Sequence, residues 1–109
     1  MSRITTHVLD TTLGKPAAGI AVRLDKENGG GWVEVNASVT DADGRCRDLT
    51  ESAPAGRYRL TFHVDAYFKH LHRTSLYSEI SIVFACSGNE HYHLPLLLSD
   101  NGYTTYRGS

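Results

Sequence analysis

The feature of this sequence that most constrains its fold is an alternation of apolar and polar residues with a period of two. Every second residue is apolar in segment 58–64, and the same pattern recurs in 20–25, 33–39, 80–86 and 92–98. Successive side chains of a β-strand point to opposite faces of the sheet, so this alternation is typical of strands with one buried face. Turn-forming residues separate the segments at intervals of about 8–12 residues, which predicts an all-β sandwich.

We predict about eight strands within a single domain that spans residues 1–109. They lie near residues 4–10, 19–25, 31–39, 45–49, 57–65, 79–86, 90–98 and 102–107. Segment 66–76 departs from the period of two, because Tyr67 and Phe68 precede Leu71 by four and three residues. That spacing places the three side chains on one face of a short helix.

The charge balance and the cysteine count exclude several classes of protein. Lys and Arg number 11 and Asp and Glu 12, so the formal net charge of -1 offers no basic surface to nucleic acid or to an anionic membrane. Cys46 and Cys86 form no Cys-x-x-Cys pair and are expected to be free thiols. There is no apolar run of membrane-spanning length and no signal-peptide pattern at the start of the chain. We therefore expect a cytoplasmic protein that binds neither nucleic acid nor membrane.

Histidine is the unusual component, with six in 109 residues. His7 lies on the first predicted strand, and His91 and His93 share one face of a later strand, opposite its leucines. Three interpretations stay open: these three bind zinc, they perform acid–base work near neutral pH, or they only form hydrogen bonds within a polar face. We interpret the other three as ordinary polar residues: His63, His70 and His72.

A second candidate is the arginine that follows a predicted tight turn. Segment 40–45 reads Thr-Asp-Ala-Asp-Gly-Arg, and its spacing does not fit an EF-hand calcium loop. Arg45 begins the next strand and offers a planar fork to carboxylate or carbonyl oxygens, although a surface ion pair is the simpler interpretation. Cys46 lies between Arg45 and Arg47, but no neighbouring base points to a cysteine nucleophile.

Four segments together resemble a known family, the transthyretin-like 5-hydroxyisourate hydrolases of purine catabolism. Thr-His-Val-Leu-Asp at 6–10, followed by Gly-Lys-Pro-Ala at 14–17, is similar to the family's N-terminal motif. Segment 40–45 is similar to its central motif, and 91–99 together with Tyr-Arg-Gly-Ser at 106–109 to its C-terminal signature. The resemblance covers essentially the whole chain, and the last four residues are its most specific part.

The resemblance implies a sandwich of two four-stranded sheets, with the short helix between the fifth and sixth strands. It implies hydrolysis of 5-hydroxyisourate to 2-oxo-4-hydroxy-4-carboxy-5-ureidoimidazoline, with neither a cofactor nor a metal. It also implies a homotetramer whose active sites lie in the channel between dimers. The family's functional positions fall on His7, Arg45, His93, Tyr106, Arg107, Gly108 and Ser109.

Within this scheme one histidine activates water, and Arg45 polarises the substrate carbonyl. The sequence leaves open whether His7 or His93 is the base. The alternative function is a transthyretin-type carrier of a small aromatic ligand in the same channel. A carrier needs an apolar channel, whereas His7, Arg45, His93 and Tyr106 predict a polar one.

Overall fold

Nine strands and one helix make up the computed structural model, which describes residues Met1–Ser109. In chain order the elements are β1 (Ser2–Asp10), β2 (Lys15–Pro16), β3 (Ala21–Asn28), β4 (Gly31–Val39), β5 (Arg45–Ala53), β6 (Gly56–His63), α1 (Asp65–His70), β7 (Ile80–Cys86), β8 (Tyr92–Leu98) and β9 (Tyr103–Thr105). The predicted β-sandwich is confirmed. The additional strand is β2, whose two residues are too few to show an alternation of apolar and polar residues.

The strands form two sheets. The first runs β5–β1–β8–β9, and β2 continues along the edge of β1 that pairs with β5. The second runs β4–β3–β6–β7. The first sheet is therefore four strands wide, as predicted. Its β1–β8 pair is parallel, and the strand pairs on either side of it are antiparallel.

The core lies between the sheets and consists of the apolar sets that the alternation predicts. On β6, Tyr58, Leu60 and Phe62 are fully buried, and the Tyr58 hydroxyl donates a hydrogen bond of 2.7 Å to the carbonyl of Pro54. Leu96 and Leu98 of β8 face them from the first sheet. The faces of β1 and β8 that point away from this core are the ones that carry histidine.

Apolar and polar residues alternate along the sequence of strand β4, but buried and exposed side chains do not. Val33, Val35 and Val39 are 53%, 42% and 56% exposed. The strand lies at the edge of its sheet, and an irregularity in its pairing with β3 falls between Leu24 and Asp25. An edge strand has a neighbour on one side only, so its apolar side chains are covered incompletely.

The helix is shorter than predicted. It begins at Asp65 and ends at His70, because the chain turns at His72, which has a φ of 56°. Phe68 is its one buried residue, whereas Leu76 is 71% exposed. The predicted extent of 66–76 was therefore wrong at its C-terminal end. The structure contains no helix with the length and hydropathy of a membrane span.

An ion-pair cluster ties the segment after the helix to the first sheet. The buried carboxylate of Asp10, at the end of β1, accepts hydrogen bonds from Arg73 at 2.6 Å and from the Tyr67 hydroxyl at 2.7 Å. Arg73 also contacts Asp100 in the turn before β9. Burial opposes ionisation of Asp10, but these hydrogen bonds prevail and its pKa is lowered.

Candidate active site

Strand register brings together three of the predicted site residues. In the antiparallel pair of β1 and β5, His7 lies opposite Arg45. In the parallel pair of β1 and β8, Thr5 lies opposite His93 and His7 opposite Pro95. Three adjacent strands therefore present His7, Arg45 and His93 on the outer face of one sheet.

The turn before β5 fixes the backbone of Arg45. The Asp41 carboxylate accepts hydrogen bonds from the backbone amides of Asp43 at 2.9 Å and Arg45 at 3.0 Å. Gly44 has a φ of +76°, and its carbonyl accepts a hydrogen bond of 2.7 Å from the amide of Val8. A Cβ at Gly44 would lie 2.3 Å from the Val8 carbonyl oxygen, so glycine is required at the point where the turn meets β1.

The two histidines are arranged to be neutral near pH 7. Their ring centroids are 6.4 Å apart. Burial lowers the pKa of His7 most, followed by the charge of Arg45, while a backbone hydrogen bond to Asp43 partly opposes this. The pKa of His93 is also lowered, first by burial and then by Arg45, His7 and His91. A neutral imidazole has a lone pair, so either ring can accept a proton from water.

A threonine hydroxyl links the histidines of β8. Thr5 Oγ1 lies 2.8 Å from Nδ1 of His93 and 2.9 Å from Nε2 of His91, and Thr5 is 5% exposed. His91 itself is exposed. The hydroxyl therefore joins a half-buried ring to one that reaches solvent.

Arg45 and His93, but not His7, line a polar cavity of about 170 Å³. Its lining contains no hydrophobic residue and no Asp or Glu side chain, and consists of Arg3, Thr5, Thr6, Arg45, Arg47, His91, His93 and Ser109. Arg47 is paired with Asp41 at 3.0 Å, whereas Arg3 and Arg45 form no ion pair. The cavity is therefore positively charged although the chain as a whole is not, which suits an electron-rich ligand.

The C-terminal segment divides between two locations. The amide of Gly108 donates a hydrogen bond of 2.8 Å to the His93 carbonyl, and Ser109 reaches the cavity. Tyr106 instead lines an apolar cavity of about 280 Å³ beside β7. Arg107 pairs with Glu90 at 3.2 Å and lies over the Tyr92 ring. Of the four predicted residues, the structure brings Gly108 and Ser109 to the histidines but not Tyr106 and Arg107.

Close packing accompanies the Gly108 contact. A Cβ built on Gly108 would lie 2.6 Å from Cδ2 of His93 and 3.1 Å from Cγ of Pro95. The absence of a side chain at position 108 therefore allows the C-terminal segment to lie directly against the imidazole.

The remaining candidates do not form a further site. No group of three His, Cys, Asp or Glu side chains has a geometry that could hold a metal ion, and the His91 and His93 rings are 6.3 Å apart. Cys46 is 1% exposed, and burial raises its pKa to about 11, which argues against a nucleophilic thiolate. The three histidines interpreted as ordinary, His63, His70 and His72, lie outside the polar cavity.

The sequence alone did not assign a role to four residues that line the cavity: Arg3, Thr5, Thr6 and Arg47. The period of two already places Arg3 and Thr5 on the same face as His7, and it places Arg47 on the same face as Arg45. This signal identifies a shared face, but it does not reveal which strands are neighbours.

Comparison with known proteins identifies the family. A family model described as "HIUase/Transthyretin family" matches residues 4–108. The chain belongs to this family. It is similar to the 5-hydroxyisourate hydrolase of Salmonella typhimurium, with 43% identity over 97% of this chain and 80% of that protein.

Solved structures of family members agree with the fold. The 5-hydroxyisourate hydrolase of Klebsiella pneumoniae has 39% identity and a TM-score of 0.90, with each chain covered completely. Sea bream transthyretin in complex with thyroxine has 33% identity and a TM-score of 0.93, over 97% of this chain and 94% of that one. These matches confirm the predicted family, the transthyretin-like sandwich and the prediction of an enzyme.

Proposed function

We propose that this member of the HIUase/Transthyretin family hydrolyses 5-hydroxyisourate to 2-oxo-4-hydroxy-4-carboxy-5-ureidoimidazoline. The observation that carries the proposal is that Arg45 and His93 line one cationic cavity without hydrophobic residues, while His7 lies opposite Arg45 in the strand pairing, with its ring 6.4 Å from that of His93. The 5-hydroxyisourate hydrolases of Salmonella and Klebsiella, similar over nearly the whole chain, add support.

The proposed reaction is the opening of the ring amide by water. A neutral imidazole, that of His93 or His7, removes a proton from water as the water oxygen bonds to the carbonyl carbon. Arg45 holds the carbonyl oxygen and stabilises the negative charge that develops there. The carbon–nitrogen bond then breaks, and the same imidazole nitrogen returns the proton to the leaving nitrogen. The chain's own side chains supply both the base and the cation, so the scheme uses neither a metal nor a cofactor.

The substrate-binding role is assigned to the same cavity and to the C-terminal segment beside it. Ser109 lines the cavity, and Gly108 packs on the His93 ring. For Tyr106 and Arg107 to touch substrate, the segment or a neighbouring subunit has to bring them to it, since both lie at the apolar cavity in a single chain.

The carrier alternative has less support. An aromatic ligand gains affinity from an apolar lining, whereas the cavity at the histidines has none. The similarity to a transthyretin with bound thyroxine concerns the fold, which does not by itself determine function.

We also propose a homotetramer with active sites at the dimer–dimer interface. Two features support association of chains: β7 and β9 are both unpaired sheet edges, and apolar side chains including Ile82, Phe84 and Tyr106 lie between them. Light scattering after size exclusion should give a mass of four 12.0 kDa chains. A monomer that retains full activity would contradict this assembly.

The test of the activity is a coupled ultraviolet assay. Urate oxidase converts urate to 5-hydroxyisourate, and the decay of that product is followed with and without this protein. We expect the protein to accelerate the decay well above the rate in buffer. Equal rates would overturn the proposed function, and binding without turnover would favour the carrier.

A further inference from the structure

The contacts of Thr5 link the protonation states of two histidines. One hydroxyl has a single proton to donate and lone pairs to accept with. Thr5 Oγ1 lies 2.8 Å from Nδ1 of His93 and 2.9 Å from Nε2 of His91. If Thr5 donates to one ring nitrogen, the other nitrogen has to carry a proton and donate to Thr5.

Only two neutral arrangements satisfy both contacts. In the first, Nδ1–H of His93 donates to Thr5, and Thr5 donates to the bare Nε2 of His91, so that both rings carry their proton on Nδ1. In the second, Nε2–H of His91 donates to Thr5, and Thr5 donates to the bare Nδ1 of His93, so that both rings carry it on Nε2. The two histidines therefore share the same tautomer. Conversion of one arrangement into the other moves one proton along each hydrogen bond, adds a proton at Nε2 of His93 and removes one from Nδ1 of His91.

We propose that Thr5 and His91 are positioning residues that switch His93 between its base and acid forms by exchanging protons with solvent. The proposal rests on the proposed hydrolase function and takes His93 as the base. In the first arrangement Nε2 of His93 is bare and accepts the proton of the attacking water. Nδ1–H then passes to Thr5, the hydroxyl proton of Thr5 passes to Nε2 of His91, and His91 releases its Nδ1 proton to solvent.

This sequence leaves His93 neutral with its proton on Nε2, which is the form that donates to the leaving nitrogen. As that proton passes to the leaving nitrogen, a solvent proton enters at Nδ1 of His91 and the relay runs backwards in the same step, so that His93 does not become an imidazolate. One proton leaves and one returns in each cycle, and no electrons are transferred. The proton removed from the attacking water ends on the leaving nitrogen of the ring amide.

Burial and charge favour outward movement of the proton from His93. Thr5 is 5% exposed, whereas His91 is exposed, so the relay runs from the interior of the site to its surface. The groups that face His93 are cationic or neutral: Arg45 from β5, His7 from β1 and His91 from β8. No Asp or Glu side chain lines the cavity that could hold the proton there.

The variants that test the relay are Thr5→Val and Thr5→Ser. Valine has the shape of threonine without the hydroxyl, and serine keeps the hydroxyl. We expect Thr5→Val to lower kcat by about tenfold or more, because the relay supplies part of the rate enhancement that acid–base catalysis usually gives. KM should change much less. Thr5→Ser should recover kcat to within about threefold of the original chain, since the same relay is available. Equal losses in both variants, or no loss in Thr5→Val, would overturn the proposal.

A second variant covers the case in which Thr5→Val does not fold. His91→Ala removes an exposed ring, and added imidazole should restore a large part of its lost kcat by taking the proton from Thr5. A loss that imidazole does not restore at any concentration, or the absence of a loss, would count against the relay.

The tautomers provide a measurement that does not depend on activity. Nitrogen-15 chemical shifts of the imidazole rings distinguish protonated from bare ring nitrogens, and we expect matching tautomers for His91 and His93. Opposite tautomers would refute the Thr5 bridge even if the protein hydrolyses 5-hydroxyisourate. Matching tautomers that become independent in Thr5→Val would support the bridge even if the coupled assay showed no hydrolysis.

Discussion

Replacement of Gly108 by alanine tests how the C-terminal segment holds the imidazole of His93. The new Cβ would lie 2.6 Å from Cδ2 of His93 and 3.1 Å from Cγ of Pro95. Carbon atoms in contact lie about 3.5–4.0 Å apart, so either the ring or the segment has to move by about 1 Å. A displacement of that size in an active site costs on the order of 100-fold in rate.

Both ways of relieving the clash lead to the same expectation. If the ring moves, His93 loses its alignment with the attacking water. If the segment moves, the 2.8 Å hydrogen bond from Gly108 to the His93 carbonyl breaks and Ser109 leaves the cavity. We expect kcat/KM to fall by about 10- to 100-fold. Overpacking should also lower the free energy of unfolding by about 1–3 kcal/mol.

The measurement is the coupled assay at 25 °C with urea unfolding of the same preparation. Gly102→Ala is the matched control, because its Cβ would meet only Ser99 Oγ at 3.5 Å, an ordinary contact. We expect the control to keep its activity. If Gly108→Ala folds normally and keeps kcat/KM within about twofold, the packing of the C-terminal segment on His93 does not position the ring.

Four further results are expected. His93→Ala and Arg45→Ala should each lose about 100-fold or more of kcat in the coupled assay while eluting at the original assembly size; activity retained in both would refute the site. The lowered pKa values of the two site histidines should place the acidic limb of the kcat/KM profile below their ordinary value of 6.5. Because of the same shifts, the unfolded chain binds more protons than the folded chain near pH 6.5, so the free energy of unfolding should fall as the pH drops through 6.5. An acidic limb of the kcat/KM profile above 6.5 would contradict the lowered pKa values. A thiol reagent at pH 8 should label the buried Cys46 only after denaturant is added, because its pKa is about 11. Arg73→Leu should cost about 3–5 kcal/mol in urea unfolding, since Asp10 would be left buried without its cation; a loss below 1 kcal/mol would show that Asp10 finds other partners.

Local sequence pattern determines the strands but not their extent. The alternation at 58–64 predicts β6 because Tyr58, Leu60 and Phe62 all need burial. The predicted end of β5 at residue 49 was too early, since the strand runs to Ala53 through two irregularities in its pairing with β1. Pairing of this kind depends on a strand that is distant in sequence, so a local window does not contain it.

The site shows the same division between local and distant information. Strand faces and a predicted turn single out His7, Arg45 and His93 as candidates, the resemblance implies their function, and strand register brings them together. The role proposed for Thr5 was not predictable from sequence, because its hydroxyl contacts a residue 88 positions away. Alternation gives the face on which Thr5 lies, but not what lies opposite.

The position of β1 also determines when the site can form during synthesis. Ribosomes add about 5–20 residues per second, so β1 emerges several seconds before β8, the strand that covers its second edge. Until then this edge is an open template for pairing with other chains. The contact between Thr5 and His93 spans most of the chain, and contacts of such long range form slowly. The catalytic face therefore forms only when β8 pairs with β1, and activity appears only after that late pairing.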